Sequence, residues 1–412
     1  MVFHQHALKN GLEIIAETSA DAYSSSVGYF VRTGARDETE DLAGVSHFLE
    51  HMVFKGTPTR TAEDVNREFD EMGAHYNAFT SEENTVYYAA ILPEFVDRSV
   101  GLLGDIMRPS LRPDDFDTEK QVIIEEIKMY DDQPPYGADD KCRAAFFGRH
   151  PLSHSVLGSV ASIEALPVEA MRAYFERQYC PSNITLVAAG KIDFDALVAS
   201  AERYCGGWQP MKADRQVDRP LPEAGFRCLH KPQATQEYVL QLADAPGSLD
   251  DERYAAKLLA SILGDDTGSR LYWELVDPGL AESVSLSHYE YDGAGIYLTY
   301  LSTTPENVAD NLATILKVYR QAEGEGFRAG ELEQAKRKMK SRVVLGSERP
   351  RSRLFSVGMN WLHRHRYVTV RDDLNAIDAV RLDDLASILK RYPLTRNMTM
   401  AVGPLATVDE PQ

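Results

Sequence analysis

His47, Glu50 and His51 crowd one short, mostly apolar segment, residues 43–57, which reads AGVSHFLEHMVFKGT. His47 and His51 are four positions apart, and on a helix positions i and i+4 share one face. Both imidazoles can therefore reach a single cation. Glu50 sits beside that face, three positions after His47. Two histidines that hold zinc, with a carboxylate that takes a proton from water, form a set suited to metal-assisted hydrolysis of peptide bonds. The order H-x-x-E-H is the reverse of the more familiar H-E-x-x-H. Taken alone, it also describes two histidines on a solvent-facing helix with an acid nearby. The flanks favour burial, because Ala43, Val45, Phe48, Leu49, Met52, Val53 and Phe54 make the segment mostly apolar. Buried imidazoles and carboxylates need partners, and a metal ion is one.

A catalytic zinc of this kind needs a third protein ligand and an open position for water. The stretch PDDFDTEKQVIIEEIKMYDD (113–132) reads as a helix opened by proline and offers Glu119, Glu125 and Glu126. Glu119 and Glu126 return to one face after almost two turns, whereas Glu125 is rotated away by roughly 100°. Val122 and Ile123 lie between the aligned pair and suggest that this face is buried. Each glutamate can equally be a solvated surface charge, and the spacing alone does not choose among them.

The elements that must position these groups follow from local pattern. Residues 24–35 alternate as a strand and lead into the helix that carries the histidines, expected from about Asp41 to Phe54. Thr61-Ala62-Glu63-Asp64 opens a further helix in the capping-box manner, ending near Gly73. Residues 74–92 alternate and are rich in Tyr, Thr and Val, predicting two strands around a turn at Ser81–Asn84. Residues 93–107 predict a helix, and 181–193 a strand after a proline turn. A segment with three prolines and little periodicity, 207–224, reads as a boundary between nearly equal halves. Each half runs strand then helix, at 236–246 and 251–263 in the second, so a weak internal duplication is expected. Strands interleaved with helices predict an α/β or α+β fold.

Composition narrows the function classes. With 44 Lys+Arg against 63 Asp+Glu, the net charge is −19. Such a surface repels phosphate backbones and argues against nucleic acid as a partner. It would attract basic peptides, although solubility alone is reason enough for it. Hydrophobic residues at 43% supply a core and exclude disorder as the main state. No apolar run suits a membrane span, no secretory leader is evident, and four scattered cysteines fit a reducing cytoplasm.

HFLEHMVFKGT, MGAHYNAFTSEENTVYYA and FDTEKQVIIEEI together resemble the pitrilysin/insulinase family of zinc peptidases, the inverzincins. The nearest likeness is to the small bacterial members and to the β-subunit of mitochondrial processing peptidase. It covers nearly the whole chain and is strongest over residues 25–190. The resemblance implies an α+β fold of two similar, duplicated α/β-sandwich halves that close like a clamshell around a chamber. It places a zinc-binding catalytic half at 1–210, a linker at 211–224 and a homologous half without zinc ligands at 225–412. It implies one Zn²⁺ per chain on His47, His51 and Glu126, with Glu119 supporting a ligand and Glu50 handling the proton. Asn77 and Ala78 match a pair on an edge strand that hydrogen-bonds an extended substrate backbone, although 74–80 can also be read as a plain core strand.

The second half departs from the family pattern. Gly268-Ser269-Arg270-Leu271-Tyr272 keeps a recognisable element, but Val276 and Glu282 stand where relatives carry an Arg and a Tyr that reach the substrate carbonyl. Those two roles cannot be carried over. His363 and His365, two apart, fall on different helix faces and read as surface or packing residues, as do His4, His6 and His75. The resulting expectation is a zinc endopeptidase acting on peptides or unfolded segments, as a homodimer or paired with a related chain. The alternatives are a zinc-bearing subunit active only with a partner, and a non-catalytic structural homologue.

Overall fold

The computed structural model describes residues 1–411. The first half of the chain forms β1 (Val2–Ala7), β2 (Glu13–Thr18), β3 (Ser25–Val31), α1 (Val45–Val53), α2 (Ala62–Glu71), β4 (His75–Thr80), β5 (Thr85–Ile91), α3 (Val96–Ile106), α4 (Pro113–Asp132), α5 (Ala138–Phe147), α6 (Val160–Ala165), α7 (Val168–Gln178), β6 (Ile184–Gly190) and α8 (Phe194–Cys205). The second half forms β7 (Gly225–His230), β8 (Glu237–Ala245), α9 (Arg253–Gly264), β9 (Ser283–Tyr291), β10 (Ala294–Thr303), α10 (Val308–Glu325), α11 (Ala329–Ser347), α12 (Pro350–Arg364), α13 (Val370–Ala379), α14 (Leu382–Arg391) and β11 (Asn397–Gly403).

The strands build two sheets, ordered β1-β2-β6-β3-β5-β4 and β7-β11-β8-β10-β9. Without β1 the two orders coincide strand for strand. Their directions coincide too: β2/β6 and β7/β11 are parallel pairs and the other pairings are antiparallel. The duplication only hinted at in the sequence is therefore explicit in the topology, and the α+β class of the sequence reading holds.

The chain divides into two compact units. The first takes residues 1–128, 154–216 and 345–368, and the second takes 129–153, 217–344 and 369–412. The sequence reading drew contiguous halves at 1–210 and 225–412. Here the break does fall inside 211–224, between Gln216 and Val217, but each unit also takes one helix from the other half of the sequence. In the first unit, α12 covers one face of the sheet, where Leu354, Val357 and Trp361 pack with Ile15, Phe30, Val86 and Val187. Gly358 allows this close approach, since a Cβ there would meet the Phe30 ring at 2.5 Å. In the second unit, Ala138, Cys142 and Phe146 of α5 pack with Leu240, Leu242, Met398 and Met400.

Some sequence-based boundaries shift for local reasons. A 3₁₀ turn, Glu40–Leu42, precedes α1, and Gly44 at φ 91° bends the chain into the helix. Another 3₁₀ turn, Pro93–Phe95, precedes α3. The expected linker is not loose at Arg215. Its guanidinium is buried, donates to Asp37 Oδ1 at 2.8 Å and Oδ2 at 2.6 Å, and reaches the Glu83 carbonyl at 2.5 Å. Arg36 bonds the Glu83 carboxylate at 2.6 Å, so the β4–β5 turn is held by buried charge.

A second buried pair fixes α12. Arg353 donates to both oxygens of Glu17 on β2, at 2.7 and 2.5 Å, and Tyr367 adds a bond at 2.6 Å. Burial alone raises the Glu17 pKa, but these bonds outweigh it and hold the carboxyl below its ordinary value. Its stabilisation is therefore present above the unfolded-state pKa and is lost as pH falls through the folded one. Arg353→Ala leaves Glu17 buried without its cation and is expected to cost about 3–5 kcal/mol, read as a lower denaturation midpoint at pH 7. That loss should shrink in acid, where Glu17 is protonated.

Candidate metal centre

α1 is helical because Val45, Phe48, Leu49 and Met52 recur at helical spacing, and all four are buried. Its first turn has no side-chain cap from Gly44. Instead the carboxylate of buried Glu38 accepts the N–H of Gly44 and the N–H of Ser46, both at 2.7 Å. A negative group is well placed at the positive end of a helix dipole. Burial nevertheless pushes the Glu38 pKa up to about 8, against the opposing pull of those hydrogen bonds. The Ser46 hydroxyl meets Tyr174 at 2.7 Å, tying the same turn to α7.

Seated this way, α1 presents both imidazoles to α4. Their ring centroids are 4.7 Å apart. His47 Nε2 lies 3.8 Å and His51 Nε2 3.7 Å from the same oxygen, Oε2 of Glu126. Neither distance is a hydrogen bond. Ligands about 2.0–2.1 Å from a tetrahedral zinc stand roughly 3.3 Å apart, so a few tenths of an ångström of contraction brings each imidazole to ligand spacing from Glu126. Two imidazole nitrogens and a carboxylate oxygen are a proper zinc donor set. Burial, and then the neighbouring His51, pull the His47 pKa down to about 3, which keeps this imidazole in the neutral form that ligation requires.

Glu119, one face-repeat before Glu126, accepts His51 Nδ1 at 2.9 Å with one oxygen and Lys55 Nζ at 2.5 Å with the other. This fixes the ring orientation and directs Nε2 toward Glu126. Burial raises the Glu119 pKa, but His51 and Lys55 together hold it below the ordinary value. For His51, burial pulls the pKa down, yet Glu119, Glu126 and Glu50 outweigh it and raise it. No such support holds His47, whose Nδ1 is buried without a hydrogen-bond partner among the described residues. Glu125 points outward, 72% exposed, and pairs with Lys128. Ile123 is buried as expected, but Val122 is 47% exposed, because that row of α4 turns to solvent.

Glu50 is half-buried beside the imidazoles. Its Oε2 accepts the Thr80 hydroxyl at 2.6 Å. Burial raises its pKa, with Thr80 and His51 pulling the other way. β4 is the outer strand of its sheet, paired on one side with β5. Its side chains alternate: Tyr76 and Ala78 pack with the core that holds α1, while Phe79 meets Phe355 of α12 at 5.9 Å. Ala78 thus shares the face of Glu50, and the Asn77 side chain falls on the other. Asn77 is exposed and Ala78 half-buried, so the strand is an edge rather than a core strand.

The sequence reading missed Glu38, Lys55 and Thr80. Thr80 had a signal, two positions from Ala78 and so on its face. Lys55 had another, at i+4 from His51. Glu38 had none, because its role needs the chain to fold back over the start of α1. In the second unit Val276 packs against the core, and Glu282 accepts the Ser302 hydroxyl at 3.0 Å. His365 lies 3.2 Å from Glu13 and against Trp361, a packing role like the one expected.

Comparison with known proteins adds independent findings. Residues 13–160 match the family described as Insulinase (Peptidase family M16), and 165–339 match Peptidase M16 inactive domain. An uncharacterized zinc protease of Mycobacterium leprae is 31% identical, over 97% of this chain and 91% of its own. One from Bacillus subtilis is 30% identical, over 97% of each. A Helicobacter pylori protease superposes with a TM-score of 0.89 at 20% identity, covering 98% of this chain and 99% of its own. A Pseudomonas fluorescens structure titled as a peptidase M16 inactive domain gives 0.92 at 16% identity over the whole of both chains. At those identities the structures speak to fold alone.

The geometry separates the adjacent glutamates of α4. Glu126→Ala is expected to abolish stoichiometric zinc in the purified, zinc-supplemented protein, whereas Glu125→Ala should leave it unchanged, both read by elemental analysis.

Proposed function

Because this chain belongs to the insulinase family of peptidases, family M16, we propose that it is a zinc-dependent endopeptidase acting on peptides or unfolded polypeptide segments. The observation that carries this reading is the approach of His47 Nε2 and His51 Nε2 to one Glu126 oxygen, with Glu50 alongside. His47, His51 and Glu126 would hold one Zn²⁺, which when bound polarises a carbonyl and lowers the pKa of water toward about 7. Glu50 accepts the proton of the attacking water and returns it to the departing amine. Glu119 and Lys55 keep His51 oriented. The free edge of β4 offers main-chain donors and acceptors to an extended substrate, so any sequence can bind while side chains select.

A second reading rests on Val276 and Glu282, which replace the Arg and Tyr that reach the substrate in relatives. The chain would then hold zinc but turn over only with a related partner chain that donates the missing groups. Assay of the chain alone and mixed with such a homologue distinguishes the two. In either case a dimer, with itself or with that homologue, is the assembly we propose.

Glu50→Gln should retain full zinc and lose about 10²–10⁴-fold in kcat, measured on a peptide found by library digestion with and without chelator. Wild-type turnover in that variant would sink the mechanism. The charge of −19 further predicts preference for basic peptides. Their kcat/KM should fall as salt rises, while that of neutral peptides stays level.

A further inference from the structure

Glu50 has one firm tether. The Thr80 hydroxyl at 2.6 Å donates to its Oε2. The hydroxyls nearby have other commitments. Thr85 Oγ1, 3.5 Å from Thr80 Oγ1, donates to the Thr33 carbonyl at 3.0 Å, and Tyr87 and Tyr179 bond each other at 2.9 Å. Thr80 is thus the hydroxyl placed to orient Glu50. It is also stiff, since a β-branched side chain on a paired strand has few rotamers. Its register matters as much. Thr80 ends β4 on the same face as Ala78, so the strand with the free edge and the carboxylate beside the imidazoles meet at this residue.

We propose that Thr80 is a positioning residue for the hydrolytic step, holding the Glu50 carboxylate at the angle from which it takes the proton of water and coupling that angle to the placement of β4. The proposal rests on the peptidase reading above and names a part of it that neither the motif nor the family likeness supplied. A peptide pairing along β4 would steady the strand and, through Thr80, steady Glu50. A carboxylate that swings freely spends less time in the reactive geometry, and small displacements of a catalytic group are costly. Because Glu50 does its work at the transition state, the loss belongs in kcat rather than in KM.

The test compares zinc-loaded wild type, Thr80→Val and Thr80→Ser, using a fluorogenic peptide chosen from the library digestion. Valine keeps the shape and removes the donor. It is expected to lower kcat about 10–100-fold with KM within about twofold, at full zinc content and unchanged melting temperature. Serine keeps the donor and should recover kcat to within about fivefold. Wild-type kcat in Thr80→Val, a change confined to KM, or a serine variant as impaired as valine overturns the proposal. Crystal structures of zinc-loaded wild type and Thr80→Val give a reading independent of turnover. Glu50 should hydrogen-bond Thr80 in the first and be rotated away in the second, and an unmoved Glu50 overturns the proposal. An inactive wild type, or an active Glu50→Gln, defeats the peptidase reading instead and leaves the crystallographic comparison to decide the role of Thr80.

Discussion

Two imidazoles and three carboxylates are brought together on α1 and α4 in partly buried surroundings, and apolar packing cannot compensate for such groups where they stand unpaired. The rest of the first unit follows from how that demand is met. His51 is satisfied by Glu119, which is satisfied in turn by Lys55. Glu50 is satisfied by Thr80. His47 and Glu126 are left facing each other at 3.8 Å, too far to bond and close enough to share an ion. The helix that carries both histidines is itself started by a buried carboxylate, Glu38, rather than by a residue of its own first turn.

These supports come from different stretches of chain. Glu38 precedes α1 and closes over its first turn, Lys55 follows its end, Thr80 ends the edge strand, and Glu119 stands one face-repeat before Glu126 on α4. A site assembled in this way is rigid only if those stretches are held independently. The β4–β5 turn is held by Arg36 and Arg215 around Glu83, and Gly34 approaches the same turn so closely that a Cβ would lie 2.2 Å from the Ser81 carbonyl. The far face of the sheet is covered by α12, fixed through Arg353 and Glu17. Buried ion pairs of this kind contribute little net stability but penalise any other arrangement strongly, which suits a scaffold that must keep one geometry.

The second unit repeats the topology of the first. α9 follows β8 as α1 follows β3, yet its sequence, RYAAKLLASILG, holds neither a histidine nor a carboxylate. The order of strands is set by which faces must be buried, and a shared fold does not by itself carry the same site. Each unit also borrows a helix from the opposite half of the sequence, so neither half of the chain alone contains all the residues that cover its own sheet.

The helix that carries His47 and His51 was legible because its signal is local: i,i+4 spacing of histidines inside an apolar stripe survives without knowledge of the fold. The candidate third ligand was legible only to within one residue, since Glu125 and Glu126 are neighbours in the chain and only helix rotation against α1 separates them. The edge strand showed itself by alternation, a period that local sterics impose. The exchange of α5 and α12, the burial of Arg215 in what reads as a linker, and the tethers from Glu38 and Thr80 were not legible. Each depends on contacts between residues far apart in sequence, where no periodicity survives and only the closing of the tertiary fold decides which charge finds which partner.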